Sequence, residues 1–514
     1  MSALFPFHGG VKTVRHKAES NQRPIQPGLL PSRLVVPLHQ HVGATAKPMV
    51  QPGDRVLKGQ MIGKADGYVS AAVHAPTSGR VMAVDQQPVP HPSGLPDWCV
   101  TLEADGEDRW IERKPLDYRR LHPSDLRNAI RNAGVVGLGG AVFPSAVKMN
   151  LSGHCERLDH LILNGAECEP WMTCDDLIMR ERAEEIVAGI HILAHLLNPQ
   201  EVLIGIEDDK PEAIAAMRAA CAGTGYAVRP VPTRYPSGGA KQLTKLLTNK
   251  EAPFKGRSTD IGVQCFNVAT AYTLHRAVNC GEPVISRIVT VTGHVARPQN
   301  IDALLGTAFA DLIAQCGGYL DGVERLIMGG PMMGFAMHTD AMPVTKATNC
   351  ILAAGLGELT PELPVMPCTR CGDCVDVCPA NLLPQQLYWH ARAKEFDKAQ
   401  DYHLFSCIEC GCCSYVCPSH IPLVQYYRYA KNEIWAQEKE KQRAELARQR
   451  HQARMERLER EKQEREAKLR QKAPARPEPA IAGPEAGKPP IEAAIARARP
   501  RSETAVAESG ERNG

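Results

Sequence analysis

Eight cysteines stand in two copies of one spacing. Cys368, Cys371, Cys374 and Cys378 run into Pro379, and Cys407, Cys410, Cys413 and Cys417 run into Pro418. Three thiolates spaced by two residues can wrap one face of an iron–sulfur cube. The fourth, set off by three residues and followed by a proline, is carried to the other cube instead. The spacing therefore predicts two [4Fe–4S] clusters with crossed ligands. Cys368, Cys371, Cys374 and Cys417 hold the first, and Cys378, Cys407, Cys410 and Cys413 hold the second. Structural zinc is the alternative use of paired cysteines, but a zinc ribbon takes two isolated pairs, whereas each run here has a third cysteine in register. Cys412 falls out of register and is expected to neighbour the second cluster without ligating it.

Two further segments have residue types suited to a nucleotide. The stretch GVVGLGGAVFPSAVKMN places Gly134, Gly137, Gly139 and Gly140 ahead of Pro144 and Lys148. Glycines at this density let the backbone approach a flat ring or a phosphate closely, and free amides with a lysine suit an anion. The segment matches neither GxGxxG nor GxxxxGK[ST], so an ordinary turn is the competing reading. The segment NGAECEP follows the apolar run LDHLIL and places Glu167 and Glu169 where a strand ends, the usual position for ligand contacts in α/β folds. An acidic loop without a ligand is the alternative there.

The 514 residues suffice for three or four domains. Residues 1–30 read as an extended arm, and residues 31–115 as short β segments punctuated by Pro52, Gly53, Gly59, Pro76 and Gly79. The β region resembles the lipoyl and biotinyl carrier fold but lacks a lysine at Ala72 to Pro76, where such carriers are modified, so the fold is expected without the function. In residues 117–260, helical stretches at 123–133 and 178–197 alternate with the runs LDHLILNG and EVLIGIED, an α/β pattern. Residues 286–319, within a module spanning 261–350, read as strand, turn and helix, and residues 360–430 carry the cysteine runs. A docking or spacer role is expected of that module. Residues 431–472 contain neither glycine nor proline and space Glu456–Arg460, Glu461–Arg465, Glu464–Lys468 and Glu466–Arg470 as i, i+4 pairs, which predicts a solvated single helix. The Pro, Ala, Glu and Arg content of residues 473–514 predicts a disordered tail, dispensable for electron transfer.

Net charge is +3, and no basic patch interleaves with aromatics, which argues against nucleic-acid binding. The ten cysteines outside the runs, among them Cys155, Cys221, Cys265 and Cys316, form no disulfide-like framework. The N-terminal sequence also lacks a secretory pattern, so a reducing cytoplasm is expected. The longest apolar window, residues 186–197, is interrupted by His191 and His195 and is too short to span a membrane.

Taken together, GLGGAVFPSAVK, NGAECEP and two cysteine runs of bacterial-ferredoxin type resemble the flavin subunits of respiratory complex I. They resemble the C subunits of Rnf (Rsx) ion-translocating electron-transport complexes more closely. The latter likeness runs through HAPTSG, RYPSGGAKQL at Arg234 to Leu243, GGPMMGF at Gly329 to Phe335, and PANLLPQQLYW.

The resemblance implies a multidomain α/β and α+β protein. Its parts are an N-terminal barrel-sandwich, a Rossmann-like FMN/NADH-binding domain, a β-grasp (SLBB-type) module and a two-cluster ferredoxin-like domain. It further implies non-covalent FMN held by Gly137, Gly139, Gly140, Phe143, Pro144, Lys148, Asn164, Glu167, Glu169, Asn267 and Thr270. NAD(H) is the implied substrate, and no catalytic acid or base is expected. The implied partners are the other subunits of the membrane complex, with a ferredoxin as a further candidate, at the cytoplasmic face of the bacterial inner membrane. Three departures weaken the transfer of nicotinamide contacts: Ala166 stands for an aspartate, Gly239 and Ala240 for a glutamate pair, and Phe266 for an asparagine. A non-catalytic iron–sulfur relay fed by a separate flavoprotein or ferredoxin is the alternative that the cysteine runs equally suit.

Overall fold

The runs LDHLILNG and EVLIGIED have continuous apolar centres at 161–163 and 202–206, as strands covered on both faces do. In a computed structural model that describes residues 4–151, 157–254, 256–359 and 363–472, they form the centre of a parallel sheet. Its strand order is Ala227–Val231, Glu201–Glu207, His160–Gly165, Val263–Asn267. Leu161 and Leu163 point into one core with the helices Ala183–Leu197 and Val268–Asn279, whereas Ile162 joins Leu243 and Leu246 of the helix Ala240–Thr248 on the opposite face. The strand Val263–Asn267 belongs to this sheet, which moves the boundary read at residue 260 to beyond the helix Val268–Asn279. The helix read over 178–197 is two helices, Cys174–Glu181 and Ala183–Leu197, meeting at Arg182.

Ahead of this unit, two small antiparallel sheets form the barrel-sandwich. One orders Arg33–Pro37, Asp97–Ala104, Gly79–Gln87 and Arg55–Val56, and the other Lys47–Pro48, Met61–Lys64 and Val73–His74. The position where a carrier would bear its lysine is buried: Ala71, Ala72 and Val73 are fully enclosed. Beyond the flavin-type unit lies a six-stranded mixed sheet, ordered Gln26–Pro27, Gln299–Leu304, Ser286–Gly293, Cys350–Gly355, Val323–Met328 and Phe335–Met337. The β-grasp module therefore runs through residue 355 and takes an edge strand from the N-terminal arm.

The arm is a strap across three units. The Phe5 amide donates to the Leu246 carbonyl, the Gly10 amide to Val377 and the Trp171 amide to Arg15, and Gln26–Pro27 pairs in parallel with Ile301 and Asp302. Lys346 is a second tie. Fully buried, its Nζ donates to the Ala72 carbonyl at 2.8 Å and to the Gly134 carbonyl at 2.7 Å, joining the barrel, the start of the glycine-rich turn and the β-grasp sheet. Burial pulls its pKa down to about 7.

Two units divide the chain, Met1–Gln437 and Glu438–Gly514. The described residues of the second are helical, within the helix Leu423–Lys472. Among them the ion pairs are Arg448–Glu445 and Arg457–Glu461; the four Glu-to-basic pairs read from the sequence do not come within 4.0 Å. Exposed pairs of this kind are worth only a few tenths of a kcal/mol, so solvent decides which rotamers meet. No described helix is long and apolar enough to cross a membrane. Cys155 and the tail expected at 473–514 lie outside the described residues.

Lys346→Met keeps most of the side-chain volume but leaves two buried carbonyls without donors. It is expected to destabilise the chain by about 2–3 kcal/mol, read as a lower urea midpoint with unchanged slope.

Candidate functional site

The two cysteine runs fold alike. Arg370 and Glu409 take φ of 60° and 57°, Gly372 and Gly411 φ of 95° and 81°, and Asn381 and His420 φ of 52° each. A short helix follows each glycine, Asp373–Asp376 in one run and Cys412–Tyr415 in the other. The repeated backbone brings Cys368, Cys371, Cys374 and Cys417 around one pocket, and Cys378, Cys407, Cys410 and Cys413 around another, the crossed grouping read from the spacing. Cys412 lines the second pocket as well.

Neither quartet has the close donor spacing of a tetrahedral zinc site. Among the described residues, only Glu167, Cys174 and Asp175 bring three donor atoms within 4.8 Å of one another, so no three cysteines of either quartet do. Tetrahedral zinc at about 2.3 Å from each sulfur needs thiolates about 3.8 Å apart. A four-iron cube takes its cysteines at its corners, with a wider spread. Amides already point at the sulfurs, from Leu382 to Cys378 Sγ and from Glu409 to Cys407 Sγ, each at 3.4 Å. Burial pushes the Cys374 thiol up to about 11, and its neighbours Cys371, Cys417 and Cys368 add to the effect. Bound iron is what would hold such thiols deprotonated.

At the glycine-rich turn the Gly137 amide bonds the Phe143 carbonyl at 2.9 Å, and the Leu138 amide donates to Thr270 Oγ1 at 2.9 Å. Gly139 faces Asn267 so closely that a Cβ would sit 3.2 Å from the Asn267 Cβ, whereas Gly140 is open. Asn267 caps the helix Val268–Asn279 through Oδ1, and its Nδ2 donates to Asp175 Oδ2 at 2.6 Å. Asn164, in register with Asn267 on the neighbouring strand, donates to the Gly238 carbonyl at 2.8 Å and accepts from the Ala166 amide. The structure thus gathers Gly139, Asn164, Asn267 and Thr270 at the carboxyl end of the central strands.

It also adds Asp175, which sequence reasoning missed. The Asp175 Oδ1 is buried without a hydrogen-bond partner and lines a small cleft with Leu138, Cys174, Arg276 and Arg287. An orphaned acceptor beside a turn of bare glycines fits a ligand carrying hydroxyls or ring N–H groups, as FMN does. Its sequence signal was two aspartates opening a helix.

Three residues read as cofactor contacts are engaged elsewhere. Lys148 donates to the Cys265 carbonyl and lies over the Phe266 ring, 4.6 Å from its centre. Glu167 caps the helix Cys174–Glu181, accepting from the Asp175 and Asp176 amides at 2.7 and 3.3 Å. Glu169 accepts from the Met332 and Met333 amides at 2.7 and 3.1 Å. Burial raises both glutamates to about 7, opposed by Lys17. Ala166 is fully buried, in the core that holds Leu243 and Leu246 of the helix Ala240–Thr248.

Residues 5–107 match the family described as the RnfC barrel sandwich hybrid domain, 130–276 the Nuo51 FMN-binding domain, 288–336 the SLBB domain and 367–421 the 4Fe-4S dicluster domain. The C subunit of an "ion-translocating oxidoreductase complex" of Pectobacterium atrosepticum is 47% identical over 511 residues, 99% of this chain and 72% of that protein. The chain belongs to this C-subunit family. Family members from Pseudomonas aeruginosa and Erwinia tasmaniensis, with the same description, are 49% and 48% identical over 89% and 91% of this chain. The chain spans only 59% and 58% of their lengths. An NAD+-reducing [NiFe]-hydrogenase in the air-oxidized state shares 18% identity with this family member over 55% of each chain, at a TM-score of 0.42, too loose a likeness to support an argument.

Two outcomes test the assignments. Cys413→Ser should lower bound iron from about eight toward about four per chain, whereas Cys412→Ser should keep about eight, measured by iron and sulfide analysis of reconstituted protein. Glu169→Gln keeps the acceptor for both amides and removes the charge. With the folded pKa near 7, above the ordinary carboxylate value, the wild type loses stability as pH rises from about 4.5 to 7. The variant should gain on it across that window by at most about 3 kcal/mol, read from denaturant midpoints.

Proposed function

We propose that this chain is the electron-input subunit of a membrane-bound ion-translocating oxidoreductase, exchanging electrons between NADH and two [4Fe–4S] clusters through non-covalent FMN. The observation that carries the reading is one turn, residues 164–170. Asn164 at its start meets Asn267 at the candidate flavin site, and Cys168 packs beside Cys410 and Cys412 of the second cysteine run. A flavin-type site and an iron–sulfur site thus share a wall.

Bound FMN supplies the conversion between a two-electron hydride and single electrons, which clusters accept one at a time. The chain's own residues position and insulate. Gly137, Gly139 and Gly140 leave space for close backbone approach, with Phe143 beside them. Asn164, Asp175, Asn267 and Thr270 offer polar atoms around that space. Lys148, held at the Cys265 carbonyl, would supply positive charge to a phosphate only after releasing that carbonyl. Cys368, Cys371, Cys374 and Cys417 would hold the first cluster, and Cys378, Cys407, Cys410 and Cys413 the second. No side chain here needs to act as acid or base on the nicotinamide. Attachment at the cytoplasmic face of the membrane would come through partner subunits, in keeping with the lack of a spanning helix among the described residues.

The test is an anaerobic NADH titration of the reconstituted chain by absorbance and low-temperature EPR, with released flavin identified after denaturation. FMN that bleaches with NADH, followed by cluster signals, supports the reading. Clusters without flavin, silent to NADH, would make the chain a relay. Gly139→Val, which drives side-chain atoms into Asn267, should release the flavin by at least tenfold weaker retention and leave the iron content unchanged.

A further inference from the structure

The two cysteine quartets share a spacing but not their surroundings. The second is gripped from outside its own domain. Tyr235, 3% exposed and carried by the flavin-type unit, donates its hydroxyl to the Cys410 carbonyl at 2.6 Å. Gln242, on the helix that follows, donates to the Pro379 carbonyl at 3.0 Å. From the arm, His8 Nδ1 lies 3.0 Å from the Cys378 carbonyl and the Gly10 amide donates to Val377 at 2.9 Å. Gly9 sits so close that a Cβ would come within 2.6 Å of the Val377 carbonyl. Val11, Tyr235, Cys410 and Cys412 form one buried cluster, with Cys168 and Met332 packed on it. Glu169, next along the same turn, holds the Met332 and Met333 amides.

Among the described residues, nothing comparable surrounds the first quartet. Its pocket is lined wholly by residues between Cys368 and Leu423, the cysteine-bearing segment itself. Cys371 is exposed, as are Trp389 at its rim and Met366, whose amide donates to the Ser419 carbonyl beside it. Through packed protein, electron-transfer rates fall steeply with separation. A cluster fastened to the flavin-type unit and a cluster open to solvent therefore cannot play interchangeable roles.

We propose that Tyr235 is the positioning residue that fastens the second quartet to the flavin-type unit. The cluster of Cys378, Cys407, Cys410 and Cys413 is thereby the flavin-facing one, and that of Cys368, Cys371, Cys374 and Cys417 is the outward one that meets a one-electron partner. The inference rests on the reading of the chain as a flavo-iron–sulfur subunit and adds an order to its two clusters. With both clusters bound, the flavin-facing quartet would take up one electron at a time and pass it to the outward quartet and on to the partner, one NADH being oxidised for every two electrons the partner accepts. Tyr235 acts through the Cys410 peptide: its hydrogen bond fixes the loop and polarises a backbone group next to a ligating sulfur, one of the means by which proteins set cluster potentials.

The experiment uses the full reconstituted chain. Cys374→Ser and Cys413→Ser assign the EPR signals of the outward and flavin-facing clusters. Tyr235→Phe should then shift the midpoint of the flavin-facing signal alone. A water-soluble gadolinium chelate should relieve power saturation of the outward signal alone. In rapid-freeze EPR, Cys413→Ser should slow reduction of the outward cluster by NADH at least tenfold while dithionite still reduces it. The order is overturned if NADH reduces the outward cluster at full rate in Cys413→Ser, or if the chelate reaches the flavin-facing signal instead. A Tyr235→Phe shift in the outward signal, or in neither, overturns the positioning role. Should Tyr235→Phe fail to fold, the chelate and the Cys413→Ser kinetics still decide the order. A chain whose flavin NADH does not bleach refutes the parent reading, whereas a bleached flavin with an independently reduced outward cluster refutes the order alone.

Discussion

One buried ammonium organises the centre of the molecule. Lys17 of the arm, 7% exposed, donates to the carbonyls of Glu167, Glu169 and Met172 at 2.6, 3.0 and 2.7 Å. A lysine so placed loses nearly all its hydration, and burial duly lowers its pKa, with the Glu167 carboxylate pulling the other way. Three carbonyls converging on one cation compensate in part, and they hold the turn 164–170 in a shape it would not keep by itself. The candidate flavin site and the second quartet meet at that turn: its first residue faces Asn267, its fifth packs on the second cysteine run, and its sixth anchors the Met332–Met333 loop.

The charges around it form a connected system. Arg15 pairs with Glu207 and Asp209, Lys210 with the same two acids, and Ser237 donates to Glu207, so the flavin-type sheet, the arm and the segment preceding the helix Ala240–Thr248 are tied by buried polar bonds. Apolar packing alone would leave these units free to slide over one another. Polar groups buried at their seams allow one register, because any other strands a charge without a partner. Lys346 does the same at the barrel, where the loop that resembles a carrier's swinging tip is locked in place.

Much of the layout was legible because it follows from local pattern. The parallel strands appeared as apolar runs, the barrel as brief alternation between glycine and proline turns, and the helix Pro123–Asn132 within a residue of the stretch 123–133 read for it. Less legible was anything set by partners distant in the chain. The split at Arg182 lies inside a continuous helical pattern, and the strand Val263–Asn267 carries no mark saying which sheet it joins. Lys148, Glu167 and Glu169 had the right types and neighbours for cofactor contacts. Their side chains nevertheless reach a carbonyl, a helix terminus and a loop amide pair that no local reading anticipates.

By itself the sequence determined the eight-cysteine arithmetic and its crossed grouping, because ligand spacing is a property of consecutive residues and the turn each proline imposes. It equally determined the glycine-rich turn, whose lack of Cβ atoms is written in its letters. Only the tertiary structure decided that Asp175 joins that turn with an unpartnered oxygen, that the arm inserts Lys17 beneath residues 164–170, and that Tyr235 reaches Cys410 across 175 positions of chain. These contacts are long-range and polar. Their partners are chosen by which buried groups are left unsatisfied once the cores have packed, and that is a property of the assembled fold.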